Sequence, residues 1–468
     1  VVDIDRLLPV SIEQEVDIRI DGLGHRGEGI GRHEGLAVFV PGAIPGELVR
    51  ARITEVKKNY ARGTCLEVIE PSPERVAENC AGQELCGGCQ LVHVSYREQL
   101  RLKRERVVDA LARIGGMTGV TVKPVLGMDN PRGYRNKAVF HVDVRGDRVA
   151  LGFYREQSHV LVDMDSCQIL PEDIVKVALG VGEALERLFR PEGTTAADGT
   201  ASAKGGLLKV LLAPLKEVVI RKGFGTGELM VVLVSHSPGF PEMRELAAMI
   251  TGRFPEVVSV AWQSKDGNGV IRTLAGRGYI REQISDLTFE ISPASFFQVN
   301  PVQAGVLCRQ VLEYAALQGR ETVIDAYCGT GTISLFLAER ARRVLGIEVV
   351  EAAVRDARKN AALNGANNVE FSVGLAERVL PDMAKQGIKA DVVVLDPPRA
   401  GCDRRVLETV INMAPPKLIY VSCDPGTLAR DLERLTGQGF QVEEVQPIDM
   451  FPHTAHVETV VLISRVDK

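Results

Sequence analysis

Asp325-Ala-Tyr-Cys-Gly-Thr-Gly-Thr332 is the stretch that decides the fold. It sits between a β-rich run, Thr322–Ala326, and a helix, and its two glycines, Gly329 and Gly331, let the backbone come close to a ligand at that junction. It is not a phosphate loop, because the Lys-Ser/Thr ending and the G-x-G-x-x-G spacing are both absent. Glu348 ends the next β-rich run, where a carboxylate can bridge two ribose hydroxyls. An acid there behind a short glycine turn points to S-adenosylmethionine rather than to a dinucleotide. Cys328, inside the turn, is expected to be structural.

Outward from this turn, the chain alternates β and α from about Ser292. The expected strands are Thr322–Ala326, Arg343–Ile347, Val369–Val373, Asp391–Leu395, Leu418–Ser422, Phe440–Val445 and Thr459–Ser464, with helices between them. Seven strands closing on Glu-Thr-Val-Val-Leu-Ile form the layout of a class I methyltransferase sheet. The fold class read here is α/β: a C-terminal seven-stranded Rossmann-like domain, preceded by an α+β central domain and an N-terminal OB-like β-barrel.

The most reactive position is read from Ile419-Tyr-Val-Ser-Cys-Asp-Pro425. A strand runs into Cys423, and Pro425 forbids its continuation. The carboxyl end of a parallel strand opens onto the ligand crevice, so this thiol is offered to a substrate. Asp396-Pro-Pro-Arg399 ends the fourth strand; Arg399 stands where amino-methylating enzymes carry a base-stacking aromatic, and an arginine suits a phosphate or carbonyl oxygen instead. Glu458 opens the last strand, and an acid in a sheet interior is costly unless it has a task. An antiparallel last strand beside Leu418–Ser422 brings Glu458 and Cys423 to one edge. A thiolate adding to carbon 6 of uracil makes carbon 5 nucleophilic toward a methyl sulfonium, and a base then removes the carbon 5 proton. His453 and His456 read as loop polarity rather than as catalysts.

Cys80, Cys86 and Cys89 lie within ten residues, among glycines, and Cys167 is the next cysteine. Zinc sites more often use two Cys-x-x-Cys pairs; a compact triplet plus one remote cysteine suits a four-iron cluster better. From Ser95 to Arg148 there are twelve Lys/Arg against six acids. Spacing alone leaves a phosphate-binding face and a solvated helix plus loop equally open. Glu13–Glu70 alternates β-rich runs (Gln14–Ile20, Leu36–Val40, Glu47–Val56, Gly63–Ile69) with turns, as a small barrel does, and Gly27, Gly29 and Gly31 read as turn glycines. Lys57–Arg62 reads as a basic loop offering Tyr60 to RNA. Tyr96–Ile114 is an expected helix, the middle block an expected α+β domain, and Pro191–Gly206 an expected flexible loop.

At 468 residues, with 45% hydrophobic and 25% charged residues, the chain can bury several cores. No apolar run approaches the ~20 residues of a membrane helix. The start is acidic and lacks a signal-peptide core, which points to the cytoplasm and, with nine cysteines, argues against structural disulfides.

Taken together, these motifs resemble the RNA uracil-5-methyltransferase family, in its RumA/RlmD-like branch of the TrmA superfamily, over nearly the whole chain. The resemblance implies a TRAM domain at 1–72 that binds RNA, a central α+β domain at 73–291 carrying an iron–sulfur cluster, and a catalytic domain at 292–468, with the helix around 96–115 packed on the catalytic domain. It implies Cys423 as nucleophile, although the usual Ser-Cys-Asn-Pro reads Ser-Cys-Asp-Pro here, and Glu458 as general base. It implies donor- or substrate-site roles for Gln298 (in Ser295-Phe-Phe-Gln-Val-Asn300), Tyr327, Thr332, Glu348 and Asp396. It implies a [4Fe-4S] cluster on Cys80, Cys86, Cys89 and Cys167. The expected activity is methylation of a uridine carbon 5 in 23S rRNA by a cytoplasmic monomer. The alternatives are a transfer-RNA enzyme of the same chemistry and a non-catalytic RNA-binding factor.

Overall fold

The computed structural model describes residues 9–466 except 78–79, 81, 83–85, 147, 156–157, 190–207, 209, 237–238 and 267–268. The loop expected at Pro191–Gly206 lies outside the described residues.

The first five strands, β1 (Glu15–Leu23), β2 (Gly29–His33), β3 (Leu36–Val40), β4 (Leu48–Val56) and β5 (Tyr60–Glu70), close into a barrel in the order β1-β2-β3-β5-β4. Strict alternation in β1 turns Val16, Ile18 and Ile20 inward. The structure corrects two readings here. Gly29 and Gly31 are strand residues, not turn residues. A Cβ on Gly31 would lie 2.3 Å from the Arg19 carbonyl oxygen, so the residue is small because two strands approach closely. The basic loop is also shorter than expected: Arg62 lies in β5, bonded to the buried Glu28 at 3.2 Å and placed over the Phe39 and Tyr60 rings.

α1 (Tyr96–Arg113) is capped by Ser95, whose hydroxyl accepts the Glu98 N–H. Its buried face, Gln99, Leu102, Lys103, Val107 and Leu111, packs on the C-terminal region, against the helix Pro425–Thr436 and the strand Phe440–Ile448. The apolar side chains alone contribute roughly 1.5–3 kcal/mol each when fully buried. Lys103 and Asp449, both without solvent exposure, pair at 2.5 Å across this contact.

A seven-stranded sheet follows, in the order β12-β11-β10-β9-β6-β7-β8, built from β6 (Lys137–Arg145), β7 (Arg148–Tyr154), β8 (Leu161–Asp163), β9 (Leu215–Lys222), β10 (Leu229–Ser235), β11 (Val257–Ser264) and β12 (Ile271–Gly276). Only β10 and β11 pair in parallel. α2 (Glu172–Leu188) and α3 (Met243–Arg253) cover the face carrying Phe140, Val218, Ile220 and Leu233. The opposite face, with Val219, Met230 and Val232, joins a core shared with the C-terminal region. The hairpin β13 (Ile280–Ile284) and β14 (Leu287–Ile291) lies in that shared core.

The C-terminal sheet has the order β17-β16-β15-β18-β19-β21-β20, from β15 (Thr322–Asp325), β16 (Arg343–Glu348), β17 (Val369–Val373), β18 (Val392–Leu395), β19 (Lys417–Ser422), β20 (Phe440–Ile448) and β21 (Glu458–Arg465). β15 to β19 are parallel, and β21 runs antiparallel between β19 and β20. Six helices flank it: α4 (Pro301–Ala315), α5 (Thr332–Ala338), α6 (Glu351–Leu363), α7 (Ala376–Lys385), α8 (Arg404–Met413) and α9 (Pro425–Thr436). Strand order reverses direction between β15 and β18, which opens a crevice above their carboxyl ends.

Of the basic residues in 95–148, most are consumed internally. Arg97 pairs with Glu74, Arg101 with Glu98, Lys103 with Asp449 and Lys123 with Glu444, while Arg104 and Arg106 bond backbone carbonyls. Lys103 is thus committed to a buried pair, whereas Arg97, Arg113 and Arg148 keep more than half of their side chains exposed.

Candidate active site

The glycine turn leaves β15 and enters α5. Gly329 and Gly331 take left-handed φ values of 54° and 84°, which other residues avoid. A Cβ on Gly331 would lie 3.1 Å from the Phe371 ring, whereas one on Gly329 would meet nothing within 4 Å, so the turn is packed on one side and open on the other. Glu348 holds the open side in shape. One carboxylate oxygen accepts the Gly329 N–H at 3.1 Å and the other accepts the Val350 N–H at 2.7 Å, and each keeps a lone pair for a ligand. Beneath the turn, Asp325 is fully buried; one oxygen accepts the Ser334 hydroxyl at 2.7 Å and the other has no hydrogen-bond partner among the described residues. Burial pushes its carboxyl up to about 6.

Cys423 follows β19, and Asp424 caps α9 by accepting the Thr427 N–H at 2.8 Å. The aspartate thus does the capping work that an asparagine would do. Ser422 stands opposite Thr459 in the β19–β21 ladder, so Cys423 and Glu458, one residue further on each strand, lie side by side at the sheet edge. Glu458 is 6% exposed and its carboxyl makes no hydrogen bond to the described residues. Burial, partly opposed by Arg399, pushes it up to about 7. The Cys423 thiol is pushed up to about 11 by burial and then by Glu458, again opposed by Arg399. Asp396, at the end of β18, is held well above the usual carboxylate range by burial and by Glu458 and Asp325. Glu458 and the Cys423 thiol therefore face one cation, Arg399, while Asp396 meets other acids, Glu458 and Asp325. A crevice so short of positive charge suits a cationic ligand, and one arriving there draws the thiol toward its thiolate form.

The structure brings Glu458, Asp396 and Arg399 each within electrostatic reach of Cys423 and joins Glu348 to the glycine turn. Gln298 is positioned from the central sheet: Asn136 donates to its backbone carbonyl at 3.1 Å, and its side-chain amide is free of partners among the described residues. Tyr327 is half-buried beside Cys402, and Thr332 opens α5 with no described bond to the other site groups. Cys328 is buried, as expected of a structural residue. His453 departs from the sequence reading. It is 7% exposed, with φ at 65°, and is hydrogen-bonded to Gln99, not a solvated loop residue.

Cys80, Cys86, Cys89 and Cys167 line one small cavity of about 50 Å³, which adjoins a second of about 230 Å³ sharing Cys80, Cys86 and Cys167. Cys89 is pushed up to about 12, by burial first and then by Cys167, Cys86 and Cys80. Among the described residues, no three His, Cys, Asp or Glu side chains are grouped to hold a single metal ion. A cluster makes a different demand, because each thiolate meets its own iron and the four need not converge on a point. Two buried nitrogens on the same cavity, Gln168 Nε2 and His453 Nε2, have no hydrogen-bond partner within normal geometry among the described residues. Four thiols around an otherwise apolar cavity with unmet donors fit a sulfur-rich, anionic group. All nine cysteines are free of disulfides.

Residues 273–466 match the family model described as tRNA (Uracil-5-)-methyltransferase, and residues 9–66 match the TRAM domain. A protein of Halalkalibacterium halodurans named as an uncharacterized RNA methyltransferase is 45% identical over 97% of this chain and 98% of its own length. One of Caldanaerobacter subterraneus, named likewise, is 42% identical over 98% and 99%. Among solved structures, the Pyrococcus abyssi tRNA (uracil-54, C5)-methyltransferase in complex with S-adenosyl-L-homocysteine superposes with a TM-score of 0.71 at 28% identity, covering 96% of this chain and 100% of that one. The chain belongs to the family of S-adenosylmethionine-dependent RNA uracil-5-methyltransferases.

Proposed function

We propose that the chain methylates carbon 5 of a uridine in 23S rRNA through a covalent Cys423–uracil adduct. The observation that carries this reading is the register that sets Cys423 beside Glu458 at the carboxyl edge, within the same crevice as the glycine turn. The Cys423 thiolate adds to carbon 6, and carbon 5 of the resulting enolate takes the methyl group from the sulfonium donor. Glu458, with its carboxyl near 7, removes the carbon 5 proton, and the thiolate is expelled. Asp396, whose carboxyl its surroundings push toward the protonated form, can donate an O–H to a uracil carbonyl when protonated, and the free amide of Gln298 can donate to a carbonyl as well. Glu348 takes the donor ribose, Tyr327 and Thr332 flank the donor, and Arg399 offsets the charge of the adduct.

In this reading residues 1–72 hold RNA, 73–291 carry the cluster and 292–468 perform the chemistry, in a cytoplasmic monomer. Cys80, Cys86, Cys89 and Cys167 would hold a [4Fe-4S] cluster, which would supply a rigid, redox-active anchor for the fold around it. The preference for ribosomal RNA rests on the family branch that the motifs resemble. A second reading, transfer RNA, is favoured by the solved relative that methylates tRNA at uracil 54. No helix among the described residues is long and apolar enough to cross a membrane.

The test is to incubate the purified protein and S-adenosylmethionine with 23S rRNA or tRNA lacking 5-methyluridine and to map the products by mass. Methyl on a 23S uridine alone is expected. Methyl on tRNA alone selects the second reading, and no methyl on either overturns both.

A further inference from the structure

Thiols alone do not complete the cysteine cavity. Gln168 and His453 line it, and Gln168 Nε2 and His453 Nε2 are both buried without a hydrogen-bond partner among the described residues. An amide nitrogen can only donate, and a buried donor left unmet costs roughly 1–3 kcal/mol. The network assigns the histidine tautomer as well. Gln99 Oε1 accepts the His453 backbone N–H at 2.9 Å, which fixes the amide and places its nitrogen 3.2 Å from His453 Nδ1. That nitrogen has no lone pair to accept with, so Nδ1 is the bare ring atom and the proton sits on Nε2. The other side chains on the wall, Val92, Phe153 and Ile169, provide no acceptor. Gln168 Nε2 thus awaits an acceptor in a cavity whose remaining chemistry is sulfur, and the His453 ring, with only the Pro131 carbonyl beside it as a backbone acceptor among the described residues, faces the same cavity.

His453 also belongs to the catalytic loop. It lies five residues before Glu458, its carbonyl accepts the Leu91 N–H at 2.9 Å two residues after Cys89, and its backbone is held at φ 65°, where a side-chain-bearing residue is strained. One residue therefore touches the cysteine cavity with its ring and the loop of the general base with its backbone.

We propose that Gln168 and His453 donate hydrogen bonds to sulfur atoms of the iron–sulfur cluster, and that through His453 the cluster fixes the loop that carries Glu458. This rests on the cluster reading given under Proposed function. His453 is then a positioning residue, and Gln168 and His453 both raise the reduction potential, because donors to cluster sulfur favour the more negative, reduced state.

The experiment uses anaerobically reconstituted full-length protein with iron content and potential read together. Gln168→Leu and His453→Phe should keep four irons, and each should lower the cluster potential so that the oxidised-to-reduced ratio at a fixed potential rises about tenfold, ~59 mV for a one-electron couple. Iron-loaded variants with the wild-type potential overturn the proposal. Should His453→Phe fail to fold, Gln168→Leu carries the potential test, and hydrogen exchange on the wild type carries the coupling: amides of 450–458 should exchange at least tenfold faster after iron removal, and unchanged exchange refutes it. Wild-type protein that holds no iron at all overturns the cluster reading itself, and this proposal with it.

Discussion

The molecule contains two seven-stranded sheets that do opposite things with their strand ends. In the C-terminal sheet five adjacent strands run parallel, so the loops after β15, β16, β18 and β19 all emerge at one edge. Asp325, Glu348, Asp396 and Cys423 come from those four ends, and the antiparallel β21 delivers Glu458 to the same edge by entering there rather than leaving. The central sheet is antiparallel at all pairings but one, so its ends scatter to both edges and no such convergence follows. Its cysteines reach one another through loops, with Cys86 bridging to Arg155 just beyond β7. Parallel strands gather chemistry by topology, whereas antiparallel strands need a ligand or a loop to gather it.

Glu458 tests the catalytic side of this contrast most severely. Glu458→Gln should slow resolution of the methylated adduct by roughly 10²–10⁴-fold with RNA binding retained, measured as release of free methylated RNA in a single turnover. It also has a stability signature. The folded carboxyl sits near 7 against an ordinary value of 4.5, so the wild type loses stability as pH rises from about 4.5 to 7, by about 3 kcal/mol in all, and then levels off. The thermal midpoint of the variant, relative to wild type, should climb across that window; a flat difference means that Glu458 is paired and not poised.

The seam between the two regions comes next. Lys103→Met leaves Asp449 charged and alone in a buried contact, at an expected cost of about 3–5 kcal/mol in denaturant unfolding. A loss below 1 kcal/mol would show that α1 is not fastened to the C-terminal sheet through this pair. A smaller effect is expected from Glu348→Ala, which removes the carboxylate proposed to take the donor ribose and one anchor of the glycine turn. Donor affinity measured by calorimetry should fall roughly 10- to 100-fold, the worth of a charge-assisted hydrogen bond, and unchanged affinity would move the donor elsewhere. Gly331→Ala should cost the least, about 1–2 kcal/mol of stability, from a left-handed backbone and a methyl pressed on Phe371.

The same contrast explains what could be read from the residues. All seven strands of the C-terminal sheet fall within a few residues of expectation; the five parallel ones are short apolar runs bounded by helices. β8 is only three residues long, and β2 carries two glycines, so neither shows as a β-rich run. The meeting of Cys423 and Glu458 at one sheet edge was legible because a thiol at a strand end and an acid at a strand start contradict their surroundings. The burial of His453 was not. Its burial depends on Gln99, 354 residues away in the chain, and nothing in Pro452–Glu458 announces that partner. The buried Lys103–Asp449 pair was hidden for the same reason, inside a helix that looks like a solvated basic one.

The central claim is a covalent bond between Cys423 and carbon 6 of uracil, and substrate RNA carrying 5-fluorouridine at the target tests it most directly. Fluorine at carbon 5 leaves Glu458 no proton to remove, so the adduct cannot resolve. With S-adenosylmethionine present, intact-mass and peptide mapping should find a methylated fluorouridine nucleotide on Cys423, absent in Cys423→Ala. Methylation of unmodified RNA by Cys423→Ala, or an adduct on any other residue, would contradict the account.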